Sequence, residues 1–290
     1  MLEKKSNPIQ LFILTVVTLI FLSANSVFCR AALVDFNIDA FSFTFFRLFF
    51  GALTLILILF FVNKNFKLEV KPKGNWLSSF MLFLYAIAFS YSYLNMEAGI
   101  GTLILFAVVQ LTMIIIAIIK KETLTLKKAL GIVIAFSGLV YLLYPSENFS
   151  LSLFHVFLMI ISGIAWAFYT ILGKKSTNAL KDTTINFTKT IPYLVLFFIL
   201  FANNIHMSFQ GVFLAFLSGS VTSAIGYVLW YLILRNMEII TASVIQLIVP
   251  VLAIVLSIIL LDEKLTPTLI ISTSMILGGI FISIYKKSSN

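Results

Sequence analysis

Apolar residues run in long blocks along this chain, separated by short polar or charged breaks. A helical bilayer crossing needs roughly 20 apolar residues. The breaks leave ten blocks near that length, at 9–29, 39–61, 76–96, 99–119, 127–144, 151–172, 183–203, 211–233, 240–261 and 265–285. The pattern predicts an all-α polytopic membrane protein with ten transmembrane helices. The longest break, 62–75, holds Lys64, Lys67, Glu69, Lys71 and Lys73 and reads as a solvated loop too short for a domain. The first block is too long for the apolar core of a signal peptide, and no small-residue cleavage site follows it, so it is expected to stay in the mature protein.

A second pattern overlies the first. Asn95-Met96-Glu97 recurs as Asn236-Met237-Glu238, Glu122-x-Leu124-Thr125 as Glu263-x-Leu265-Thr266, Gly138 as Gly279 and Tyr144 as Tyr285, all at an offset of 141. Shared Ile and Leu between two apolar stretches would carry little, but polar and glycine matches in one register mark a duplication. The boundary falls near the middle, giving repeats over 1–145 and 146–290. Five crossings per half is an odd number, so the second half enters the membrane upside down. The chain then reads as two inverted five-helix repeats, a build that places a pseudo-two-fold axis in the membrane plane and a substrate site near the midplane where the halves meet.

Composition agrees with the blocks: 61% of residues are hydrophobic and 11% charged, against about 25% charged in soluble domains. The net charge of +9 raises the question of nucleic acid, and its placement answers it. With the N-terminus inside, the inner breaks carry sixteen Lys and Arg, and the outer ones only Arg30 and Lys264. The positive-inside rule then sets both termini in the cytoplasm of a bacterial plasma (inner) membrane, and the charge is orientation rather than a nucleic-acid site. Cys29 is the lone cysteine, which excludes an internal disulfide.

Several stretches are similar to the EamA-type transporters of the drug/metabolite transporter superfamily. They are Phe43-Thr44-Phe45-Phe46-Arg47, the run from Leu105 to Met113, Gly163-Ile164-Ala165-Trp166-Ala167-Phe168-Tyr169, Gly226-Tyr227-Val228-Leu229-Trp230-Tyr231 and Gln246-Leu247-Ile248-Val249-Pro250-Val251. The resemblance runs nearly the full length. It implies ten helices in two five-helix repeats and transport of small organic metabolites by alternating access, with export of amino acids or related compounds favoured. A multidrug or nucleotide-sugar-like exchanger of the same superfamily is the alternative, and a non-transporting receptor or scaffold a distant one. The fold alone does not choose the substrate.

Ionisable side chains inside a span are costly and mark functional sites by default. Only Arg47 and Lys189 lie well inside predicted spans, and they are repeat mates at an offset of 142. Snorkelling, or holding neighbouring carbonyls, is the structural reading for both. The functional one is an electropositive cavity that favours a carboxylate, since no Asp or Glu lies deep in a helix. Gln110 and Gln246 should point inward, making interhelical hydrogen bonds or touching substrate. Pro250 is expected to bend its helix, as a structural kink or a gating hinge. Asn25, Trp166, Tyr169, Tyr227, Trp230 and Tyr91 complete the candidate substrate contacts, whereas Tyr93 and Tyr231 are expected to anchor at the membrane interface. Gly99, Gly101, Gly131, Gly138, Gly278 and Gly279 should allow close helix packing. His155 and His206 are far apart in this topology. No metal cluster, nucleotide-binding loop or nucleophile–base pair is visible, so no cofactor and no enzymatic activity are expected. The expected partners are a small-molecule substrate and the lipid bilayer, with the chain a monomer or homodimer.

Overall fold

The computed structural model describes residues 8–62, 76–119, 126–143, 152–201, 205–235, 242 and 245–284. Among these residues every regular element is helical, as lipid demands of a chain that must satisfy its backbone internally. Helices run over Pro8–Val34 (α1), Ala40–Val62 (α2), Trp76–Ser92 (α3), Ala98–Ile119 (α4), Leu126–Leu143 (α5) and Leu153–Gly173 (α6). They continue over Ala179–Thr188 (α7), Ile191–Phe201 (α8), Phe209–Leu217 (α9), Gly226–Leu234 (α10), Ile248–Leu261 (α11) and Pro267–Ile284 (α12). Five stretches are long and apolar enough to cross a membrane: Ile9–Val34, Ala40–Val62, Ala98–Ile116, Leu153–Gly173 and Phe209–Leu234. The apolar helices Trp76–Ser92, Ala129–Leu142, Ile248–Leu261 and Pro267–Gly279 are shorter. Phenylalanines and aliphatic residues such as Phe12, Phe60, Phe61, Phe154 and Phe209 cover the outside.

Three blocks differ in detail from the sequence expectation. The block at 183–203 begins earlier and is broken. Helix α7 starts at Ala179, with the Asn178 side chain accepting from Lys181 N at 3.0 Å, and a turn at Lys189 and Thr190 separates it from α8. Pro192 explains the break: it donates no backbone N–H, which costs little in the first turn of a new helix and much inside an old one. The block at 211–233 is one helical span, but Ser218–Ile225 between α9 and α10 is wound as a π-helix. In the block at 240–261, residues 236–241, 243 and 244 lie outside the described ones. Pro250 falls in the first turn of α11, after a turn at Leu247. Gln246 is helical and Leu247 a turn, so the helix breaks in the turn before Pro250, whose missing donor would otherwise reach the Gln246 carbonyl, where a bend was expected.

Helices pack in pairs. Helix α5 lies on α12 and α3 on α6, α4 touches α6 and α11, and α1 touches α11 and the whole α9–π–α10 span. Helix α2 sits against the π-segment and α7, and α3 also meets α7. Helix α2 and the π-segment approach closely. A Cβ on Gly219 would stand 2.2 Å from the Arg47 carbonyl oxygen, and one on Gly51 would stand 2.5 Å from the Phe187 ring. Gly138 and Gly279 let α5 and α12 touch in the same way, whereas a Cβ on Gly278 meets nothing within 4 Å and that glycine serves no close contact.

Candidate functional site

At the centre lies Arg47, 1% exposed. It does not snorkel. Its Nε donates to Ser223 Oγ at 2.9 Å, and its Nη2 donates to Tyr227 Oη at 2.7 Å and Tyr85 Oη at 3.2 Å. The guanidinium carbon is 5.4 Å from the Tyr85 ring centroid and 5.1 Å from that of Phe89, within cation–π range. Nη1 has no hydrogen-bond partner among the described residues. Every hydrogen-bonding group on this cation is a neutral hydroxyl.

The π-segment supplies the second layer. Ser218 Oγ, Thr222 Oγ1 and Ser223 Oγ donate to Asn25 Oδ1 of α1 at 2.8, 2.6 and 3.1 Å. The wider π winding brings the three hydroxyls to one acceptor. Arg47, Ser223 and Asn25 thus form one chain of hydrogen bonds across α2, the π-segment and α1. Asn25 Nδ2 has no partner among the described residues.

Aromatic rings close the other side. Trp166 lies with its ring centroid 4.9 Å from both Tyr85 and Tyr227 and 5.6 Å from Tyr169. Its indole N–H donates to Gln246 Oε1 at 3.0 Å, tying α6 to the segment before α11. Tyr231 follows Tyr227 one turn later, stacks 5.2 Å from Tyr169 and donates to the Tyr169 carbonyl at 3.2 Å. Tyr93 packs edge-on to Phe89 at 4.7 Å and shares a 3.1 Å hydrogen bond with Thr102. Both tyrosines are buried, at 1% and 0% exposure, which corrects the expectation of interfacial anchors. Depth along a helix said nothing of the face each occupies.

The structure therefore brings Asn25, Arg47, Trp166, Tyr169, Tyr227 and Gln246 into one contiguous cluster. Tyr85, Phe89 and Ser223 belong to it and were not singled out in the sequence. Tyr85 had a signal: it stands 142 residues before Tyr227, the offset that relates Arg47 to Lys189. Two other candidates pack elsewhere. Tyr91 packs against Phe197 of α8 at 6.2 Å, and the ammonium of Lys189 lies 4.8 Å from the Trp76 ring centroid. Gln110 in α4 and Trp230 in α10 are fully buried, and the Trp230 indole N–H has no partner among the described residues.

The two ends of the bundle differ. At one end Glu263, after α11, accepts from the first amides of α4, Ala98 N at 2.6 Å and Gly99 N at 3.1 Å. A carboxylate suits a helix N-terminus. Arg30 Nη1 donates there to the carbonyls of Tyr93 and Leu94 at 2.8 and 3.1 Å. At the opposite end, where α3 and α7 begin and α6 and α10 finish, lies a cavity of about 350 Å³ walled in part by Tyr231. Among the described residues no group of His, Cys, Asp and Glu could hold a metal ion.

This arrangement can be set beside known proteins. The sequence profile of the EamA-like transporter family matches residues 10–144 and again 153–285. The chain belongs to that family. An uncharacterized protein of Pseudomonas aeruginosa is 38% identical over 92% of both chains. A probable amino-acid metabolite efflux pump of Escherichia coli is 26% identical over 69% of this chain and 72% of its own. An S-adenosylmethionine uptake transporter of Rickettsia prowazekii is 26% identical over 58% of this chain and 55% of its own. A solved crystal structure superposes over 94% of this chain and 96% of its own with a TM-score of 0.68 at 16% identity, a likeness of fold. This EamA-family chain is a multi-pass membrane protein of a transporter family.

Proposed function

We propose that the chain is a secondary transporter that exports amino acids or related metabolites across a bacterial plasma membrane by alternating access. The observation that carries the substrate class is Arg47: a buried cation held by neutral hydroxyls, with one guanidinium nitrogen still unpartnered. A substrate carboxylate would supply the missing charge in the forked geometry that arginine binds best. Trp166, Tyr169 and Tyr227 would contact the rest of the molecule, and Asn25 and Gln246 would hold the donors in place. Export is the direction named for the Escherichia coli relative; uptake is the direction named for the Rickettsia prowazekii one.

In the same reading the chain has ten crossings as two inverted repeats, 1–145 and 146–290, with both termini in the cytoplasm. Two features support it. The family matches once in each half. The helix pairs also exchange under the repeat: α3 on α6 corresponds to α1 on α9–π–α10, and α4 on α6 to α1 on α11.

Metabolites in the medium of cells producing the wild type are to be compared with those of cells producing equal membrane amounts of Arg47→Ala. Enrichment of carboxylate-bearing compounds by the wild type alone is expected. Enrichment by neither protein, with uptake instead on assaying the reverse direction, would overturn export. Equal enrichment by both would remove Arg47 from substrate binding.

A further inference from the structure

The cavity at the α3–α7 end has a chemistry of its own, distinct from the arginine centre. Its wall includes Trp76, Lys175, Ser176, Asp182, Asn186 and Tyr231. Asp182 and Asn186 stand one turn apart on α7, so their side chains share a face. Asp182 falls one residue ahead of the block at 183–203, and the earlier start of α7 places it in that helix's first turn. Ser176 Oγ donates to Asp182 Oδ2 at 2.6 Å, and Asp182 makes no ion pair with any described residue.

Asn186 is the more telling residue. It is 1% exposed, and its Nδ2 donates toward Tyr231 Oη at 3.5 Å. Its Oδ1 has no hydrogen-bond partner among the described residues. A buried amide oxygen without a donor is a costly arrangement, and this one lines a cavity large enough for a small molecule. The wall thus presents a carboxylate and an unpaired carbonyl as acceptors, with Tyr231 and Trp76 in the same wall and the Lys189 ammonium already 4.8 Å from the Trp76 ring centroid. Two acceptors one turn apart suit an ammonium group, which has three N–H donors. Lys175, exposed in the same wall, disfavours a bare cation and favours one that also carries an anionic group.

We propose that this cavity is an inner binding site for the protonated amine of a zwitterionic substrate, recognised by Asp182 and Asn186 before the molecule reaches Arg47. The site rests on the transport reading above and deepens it. Tyr231 links the two places, because it walls the cavity and stacks on Tyr169, which meets Trp166 and Tyr227.

The test uses the full-length purified protein with Ser78→Cys as reporter, since Ser78 lines the cavity and the native Cys29 is fully buried. Maleimide labelling is followed with L-phenylalanine, phenethylamine or 3-phenylpropionate present. L-phenylalanine is expected to slow labelling most, phenethylamine less, and the carboxylate without an amine not at all. Asp182→Asn in the reporter background should weaken protection by about tenfold, the size of one charge-assisted hydrogen bond. Asn186→Asp, which adds an acceptor charge, should strengthen it, an effect that a merely structural residue would not give. Equal protection by all three compounds, protection by none, or protection unmoved by either substitution would overturn the proposal. Labelling needs no transport, so the two readings fail separately. Protection without vectorial transport in cells would sink only the transport reading; transport without protection would sink only this site.

Discussion

A lone guanidinium among hydroxyls sets a clear expectation at the scale of single residues. Arg47→Lys keeps the charge but cannot reach Ser223 and Tyr227 together, because lysine lacks the planar fork. On the proposed transport reading, its rate should fall roughly tenfold at saturating expression while membrane levels hold, as read by efflux from preloaded cells. Unchanged efflux would leave Arg47 a purely structural role. Gly219 gives a second expectation. Its missing side chain lets the Arg47 carbonyl approach, and backbone lies on both sides, so neither partner can yield cheaply. Gly219→Ala should cost about 1–3 kcal/mol as overpacking does, seen as a lower thermal unfolding midpoint in detergent. Arg47 was legible in the sequence because ionisable groups are so rare in these spans. Ser223 and Tyr85 were not, since hydroxyls scattered in apolar runs carry no mark of which face they occupy. Gly219 was equally silent, for nothing local distinguishes a contact glycine from the unneeded Gly278.

Hydropathy located helices well and their irregularities poorly. Block lengths reflect bilayer thickness, so the helices over 40–62, 98–119 and 153–173 lie close to the expected blocks. The π-segment leaves no hydropathy signal because its residues are small and mixed, Ser-Gly-Ser-Val-Thr-Ser-Ala-Ile. It depends instead on long-range hydrogen bonds to Asn25. π-Winding holds more residues per turn than the α-helix, usually as an inserted residue at a functional site. Deleting Val221 should therefore restore α-winding while keeping Ser218, Thr222 and Ser223 on one face, at spacings of three and four residues. Transport should survive the deletion wherever the protein reaches the membrane; lost transport would show that the wider winding is itself needed. The break before Pro192 was readable from the proline itself, yet the earlier start of α7 depended on Asn178, whose capping role emerges only with the fold.

For the molecule as a whole, the end where Glu263 caps α4 is a place where protons can act. Burial holds the Glu97 carboxyl above its usual range, the nearby Glu263 carboxylate adds to this, and Arg30 opposes it. A raised carboxyl pKa means that this arrangement takes up a proton more readily than an open one. Its preference is therefore complete below the ordinary carboxylate range and fades as pH rises through the raised value. A spin label at Leu94, exposed beside this cluster, should become less mobile as pH falls, and Glu97→Gln should abolish the response. A pH response that survives Glu97→Gln would assign it to another group. The unequal helices have a different consequence. Among the described residues helix α1 covers 27 and α3 covers 17, so at 1.5 Å per residue these parts span about 40 and 25 Å. Lipids beside α3 must shorten or tilt to meet it, while α1 leans or reaches past them. The protein carries its own preference for membrane thickness, and reconstitution in phospholipids of stepped acyl length should give a turnover maximum in the thinner bilayers, where α3 no longer leaves polar headgroups pulled inward.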